Sequence, residues 1–144
     1  MISRLPDPEL DPAFYDSIPA KRFFAWVVDV TLIALLALLA SLLTLGLLLW
    51  VFPLVYLALS FAYRSLTISS WSATPGMRLM NLELRNQRGE ILAPTEAVFH
   101  SGVYLFCWGF GILQMISVGL MALQPSHRGL HDMFLGTAAI NRPR

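Results

Sequence analysis

Charge is scarce in this chain. Only 13% of its 144 residues are Asp, Glu, Lys or Arg, where a soluble domain carries about a quarter. From Val30 to Tyr63 there is no charged residue. A formal net charge of +1 speaks against nucleic acid as a partner. The single cysteine, Cys107, cannot form an internal disulfide and leaves the redox compartment open. No nucleophile motif, phosphate-binding glycine loop or zinc spacing is present, so the expectation is a non-enzyme with no cofactor. What the chain has instead is apolar surface: 56% hydrophobic residues and a mean hydropathy of +0.63. The expected fold class is an all-α membrane protein, a small polytopic helical bundle with no room for a second domain, with the lipid bilayer as its first partner.

The first long apolar run, Phe23 to Leu45, is entered through Lys21 and Arg22 and interrupted by Asp29. As a helix it is about 34 Å long, enough to cross a bilayer. It is too long for the apolar part of a signal peptide, and four acids precede it. Arg22 and Asp29 are seven residues apart, so they point almost the same way, about 10 Å apart along the axis. A carboxylate at that depth costs about 2.5–3.5 kcal/mol on insertion scales, and a partner must offset that cost. Gly46 and Pro53 punctuate the uncharged run into two spans, about 21–45 and 49–68. With the turn near Gly46, the residue level with Asp29 on the return helix is about 63. Arg64 beside it therefore joins Arg22 as a candidate counter-ion. Trp50, Tyr56, Tyr63 and Trp71 are expected at the membrane interfaces.

Residues 1–19 hold four prolines and four acids and read as an irregular, solvated tail with one short turn around Phe14 and Tyr15. Residues 70–95 read as a polar loop. In it Leu82 and Leu84 alternate with Asn81, Glu83 and Arg85, a strand, and Glu90-Ile91-Leu92 is expected to return as its hairpin partner after the turn at Asn86–Gly89. The third apolar stretch, placed as a helix over about 97–123, contains Gly109-Phe110-Gly111. It either crosses as one tilted helix or breaks there and re-enters. The compact domain is thus expected over 20–141, with 142–144 a tail. Seven basic residues flank the first two spans on one side and none lies in the turn between them. The amino terminus and the 70–95 loop should therefore be cytoplasmic. The side of the carboxyl tail follows from whether the third stretch crosses or turns back.

Two clusters could carry chemistry. Asp29, with Arg22 or Arg64, is either an intramembrane ion or proton site or an ion pair that fixes helix packing. His127, Arg128, His131 and Asp132 form the second. A helix would stack His127 and His131, but Gly129 weakens one there and no third metal-ligand run follows, so no metal is expected. Asp132 is expected to cap a helix start after His131 or to pair with an arginine. His100, alone in an apolar helix, is a secondary candidate whose ordinary role is a hydrogen bond in the packing.

Three separated motifs line up with one family. Ala20-Lys21-Arg22-Phe23-Phe24-Ala25-Trp26-Val27-Val28-Asp29 resembles the opening of the RDD family, named for one arginine and two aspartates. Thr74-Pro75-Gly76-Met77-Arg78-Leu79-Met80-Asn81-Leu82 resembles its central motif, with Met77 where a lysine is usual. Arg128-Gly129-Leu130-His131-Asp132 with Gly136-Thr137 resembles its closing motif, and His100 stands about where an arginine often opens the third block. The resemblance covers roughly residues 18–141. It implies a multi-pass protein of the bacterial inner membrane, with Arg22, Asp29 and Asp132 as the naming residues. It also implies transport of ions or small solutes, some members being described as cation/proton antiporters. Three spans enclose little pathway, so transport implies a homo-oligomer. The alternative is a non-transporting subunit that docks a membrane protein partner through its loop and tails.

Overall fold

The computed structural model describes residues 4–143. Helix α1 runs Ile18–Leu43 and α2 runs Phe52–Trp71. Leu45 and Gly46, both left-handed at φ 54° and 83°, reverse the chain between them, followed by a 3-10 turn over Leu47–Val51. Pro53 lies in the first turn of α2, where a missing N–H costs nothing. A short helix, α3 (Pro75–Leu79), leads into strand β1 (Leu82–Arg85). The third apolar stretch breaks at Phe110 into α4 (Pro94–Gly109) and α5 (Gly111–Leu123), bent by 114°. Helix α6 (Leu130–Leu135) and strand β2 (Ala138–Asn141) end the chain. Two helices are long and apolar enough to cross a membrane, and the bent pair would be a third span.

The bundle is built inside out relative to a soluble protein. On α1 the buried residues Ala25, Asp29, Ile33, Ala37 and Ser41 recur every fourth position, one stripe of a helix face. On α2 Ser60, Arg64 and Ile68 repeat that spacing, and α4 buries Ala97, His100, Ser101 and Cys107. Small and polar residues face inward, while Leu35, Leu39, Leu42, Leu54 and Leu66 are exposed. In lipid, large apolar chains gain nothing from being inside, so close packing of small residues and hydrogen bonds hold the helices. Two of the buried hydroxyls are satisfied within their own helices, as Ser41 donates to Ala37 O at 2.8 Å and Ser101 to Ala97 O at 2.9 Å.

Three expectations are corrected. The strand partner of β1 is not 90–92 but β2, antiparallel, with Leu82 opposite Asn141 and Arg85 opposite Ala138. Ile91 makes a single bridge to Arg85, because Asn86 Oδ1 folds the loop on itself by accepting the N–H groups of Arg88 and Glu90 at 3.0 Å. An isolated two-stranded hairpin is marginal in water. Pairing with β2 instead buries Leu82 with Tyr15, Ile18, Ala138 and Ile140, and Leu84 with Ile68, Leu92, Ala97 and Ala139. The amino-terminal tail makes its expected short turn, a 3-10 turn over Pro12–Phe14, but it is not merely solvated, since it places Tyr15 in that core. Finally, α1 and α2 sit several residues away from the expected ends, at 18–43 and 52–71. The first and last described segments and the 70–95 loop gather at one end of the bundle, opposite the α1–α2 turn.

Candidate functional site

Helix α1 is the hub, and its two charges reach different parts of the chain. Arg22 Nη1 pairs with Asp132 Oδ2 at 2.5 Å, and its Nη2 donates to His131 Nε2 at 3.0 Å. Asp29, 2% exposed, accepts from Tyr63 OH at 2.8 Å, Thr74 Oγ1 at 2.5 Å and the Gly76 N–H at 2.9 Å. The expected pairing of Asp29 with Arg22 or Arg64 is thus replaced by three neutral donors. Seven residues put Arg22 and Asp29 on one face but too far apart to touch. Residue 63 does stand level with Asp29, yet Arg64 is a further 100° around α2 and faces α4. There its Nη2 donates to Tyr104 OH at 3.1 Å and its guanidinium covers the Tyr104 ring at 3.9 Å.

The contact at Gly76 depends on the missing side chain. A Cβ there would lie 2.2 Å from Ala25 O and 2.8 Å from Asp29 Oδ1. Thr74 serves twice, donating to Asp29 and accepting the Met77 N–H at 3.2 Å as the cap of α3. Arg78 does not reach Asp29; it stacks on Trp71 at 4.8 Å.

Asp132 is the second centre and is fully buried. It is the third residue of α6, and its Oδ2 reaches back to the Gly129 N–H at 3.0 Å. Its Oδ1 accepts from His100 Nε2 at 3.0 Å and from Thr137 Oγ1 at 3.3 Å. Arg128 braces the turn from outside through Thr137 O at 2.7 Å and Asp132 O at 3.2 Å. Burial works to raise the Asp132 pKa, but Arg22, then His131 and His100, hold it well below the usual carboxylate range. Burial pushes His131 down to about 3 against the pull of Asp132, so the ring is neutral and its Nε2 lone pair accepts from Arg22. His127 does not stack with His131: it is left-handed, φ 46°, ahead of α6, with Nδ1 on Met121 O at 2.7 Å.

His100, His131 and Asp132 bring metal-type donor atoms within 4.8 Å of one another. The Asp132 oxygens and His131 Nε2 are already engaged by Arg22, Gly129, Thr137 and His100, whereas the Nδ1 atoms of His100 and His131 are buried with no hydrogen-bond partner. A cation bound through Asp132 Oδ2 or His131 Nε2 would have to displace the Arg22 guanidinium.

These centres border a cavity of about 380 Å³ between α1, α2, α4 and α5. Arg22, Asp29, Arg64, Gln114 and His131 line it together with apolar side chains, including Trp26 and Trp108, whose rings stack at 5.7 Å. Tyr63, Thr74, Gly76, Tyr104 and Thr137 escaped the sequence reading as polar partners. The available signals were the places of Thr74, Gly76 and Thr137 inside the motifs and the four-residue step from His100 to Tyr104.

No curated protein and no solved structure matches the chain. Residues 18–136 match the RDD family. That span holds the first two motifs and all of the third but Thr137, and their residues meet here: Arg22 and Asp29 from the first, Thr74 and Gly76 from the second, His131 and Asp132 from the third. This integral membrane protein belongs to the RDD family.

Proposed function

We propose that the chain is a small multi-pass inner-membrane protein that moves ions or small solutes as a homo-oligomer, with no enzymatic activity. One observation carries this reading: Arg22, Asp29, Arg64 and His131 line one cavity within the helix bundle instead of being sealed between helices. Charged groups at membrane depth are expensive, and those that face a cavity mark solute paths. In this reading the amino terminus, the 70–95 loop and the carboxyl tail are cytoplasmic, since 8 of the 9 basic side chains among the described residues are at that end and Arg64 is about two helix turns from it. The test is proton-coupled flux of Na⁺ or K⁺ into proteoliposomes, wild type against Asp29→Asn, normalised to folded protein. A solute role predicts flux that collapses in the variant; equal normalised flux removes Asp29 from the path.

A second reading, a non-transporting subunit that docks a membrane protein partner, draws on the partners of Asp29. All of its donors come from α2, α3 and the Thr74 cap of α3, so the carboxylate is satisfied as a scaffold without any ion. Absence of flux together with a stoichiometric co-purifying protein would favour it.

A further inference from the structure

The charges around the cavity do not balance one for one in space. Arg22 has Asp132 as its counter-ion. Arg64 is 8% exposed, and among the described residues no carboxylate lies within 4.0 Å of it. Its contacts are one hydroxyl and one aromatic face, and its Nε is buried with no hydrogen-bond partner. Across the same cavity the Gln114 Oε1 is also buried and unpartnered. A desolvated guanidinium without an anion and an amide oxygen without a donor are both costly. The rest of the wall is largely apolar and aromatic, from Phe23, Trp26, Trp108 and Val118, and Phe23 and Trp108 are themselves exposed on the bundle's outer surface.

We propose that this cavity binds the headgroup of an anionic phospholipid whose phosphodiester pairs with Arg64 and whose headgroup hydroxyl donates to Gln114. One free guanidinium matches the single negative charge of a phosphodiester, whereas free phosphate at neutral pH carries more charge than Arg64 alone can meet. The exposed aromatic rim gives the acyl chains a way out into the bilayer. The claim concerns equilibrium binding and does not depend on transport: loss of flux with retained binding leaves it standing, and flux without binding overturns it alone.

The experiment is competitive lipid retention on the purified full-length protein, read by native mass spectrometry with phosphatidylglycerol against phosphatidylcholine. The expected result is about a tenfold preference for phosphatidylglycerol in the wild type. Arg64→Gln should abolish that preference, Arg64→Lys should keep part of it, and Arg88→Gln, in the exposed loop, should leave it unchanged. Thermal melting of each variant confirms folding. Should Arg64→Gln not fold, Gln114→Leu decides: it should narrow the preference for phosphatidylglycerol over phosphatidic acid, which lacks the headgroup hydroxyl. An unchanged preference in Arg64→Gln, or in Gln114→Leu where that variant decides, overturns the proposal. So does displacement of the lipid by excess inorganic phosphate, which would make the site one for a free anion.

Discussion

At the scale of single residues, each buried charge has its own set of partners, and mutant cycles can separate them. Arg22 and Asp132 are paired at 2.5 Å, with side chains 13% and 0% exposed. Removing either strands the other, which commonly costs about 3–5 kcal/mol. We expect Arg22→Ala and Asp132→Ala each to lower detergent stability by that order and the double variant to lose much less than the sum. Arg22→Ala combined with Asp29→Ala should be additive, since the two share no partner. Coupling between Arg22 and Asp29 as large as that between Arg22 and Asp132 would contradict the geometry.

The same residues set a pH dependence. His131 is held down at about 3, below its ordinary 6.5, and Asp132 is held below its ordinary 3.8. In both cases the unfolded chain binds protons more readily than the folded one. Stability from His131 is therefore full above about pH 6.5 and declines as pH falls toward 3, by up to about 1.4 kcal/mol per unit. Asp132 adds its own loss at still lower pH. Melting temperature measured from pH 7 to pH 4 should fall, and His131→Phe should flatten that slope while lowering stability at pH 7 by removing the acceptor for Arg22.

At the scale of elements, glycines separate into those that contacts demand and those they do not. Gly76 lets α3 lie against α1, and Gly76→Ala would drive a Cβ to 2.2 Å from Ala25 O. Overpacking of this kind costs about 1–3 kcal/mol. Because it also breaks the Gly76–Asp29 hydrogen bond, we expect the upper end of that range in a thermal or denaturant melt. Gly119, inside α5, has nothing within 4 Å of its would-be Cβ. Gly119→Ala should be neutral or stabilising by about 0.5–1 kcal/mol. Gly109 and Gly111 are equally unencumbered. Their place is at the break between α4 and α5, so close helix packing is not what these glycines provide.

At the scale of the whole molecule, the 114° bend between α4 and α5 sets where the carboxyl-terminal segment packs. It returns the chain so that Asp132 meets Arg22, Lys21 Nζ meets Asn141 Oδ1 at 2.6 Å, and β2 pairs with β1. The described carboxyl-terminal residues, Arg128 and Arg142 among them, then lie at the same end of the bundle as the 70–95 loop, as expected if α4 and α5 turn back. Impermeant thiol labelling should give Gln87→Cys and Pro143→Cys the same sidedness. Leu45→Cys, at a position 96% exposed in the α1–α2 turn, should show the opposite one. Different sidedness for positions 87 and 143 would mean that α4 and α5 cross the membrane as one span.

Much of this architecture was legible without coordinates because the bilayer is a demanding solvent. Long uncharged runs and the punctuation at Gly46 and Pro53 mark the apolar spans by local composition alone, and the clustering of arginines sets the sidedness to be tested. The three motifs, in order and spacing, determine the family. Helical periodicity also determined that Arg22 and Asp29 share a face and that residue 63 stands level with Asp29. What it could not determine is which partner each charge takes, because that depends on contacts between segments far apart in sequence. Only the tertiary structure decided that Asp132, 110 residues from Arg22, is its counter-ion. Only it decided that Asp29 rests on Tyr63, Thr74 and Gly76, and that β1 pairs with the chain's last strand. A residue's periodicity sets the direction of its side chain, but the element waiting at the far end of that side chain is set by how the whole chain closes on itself.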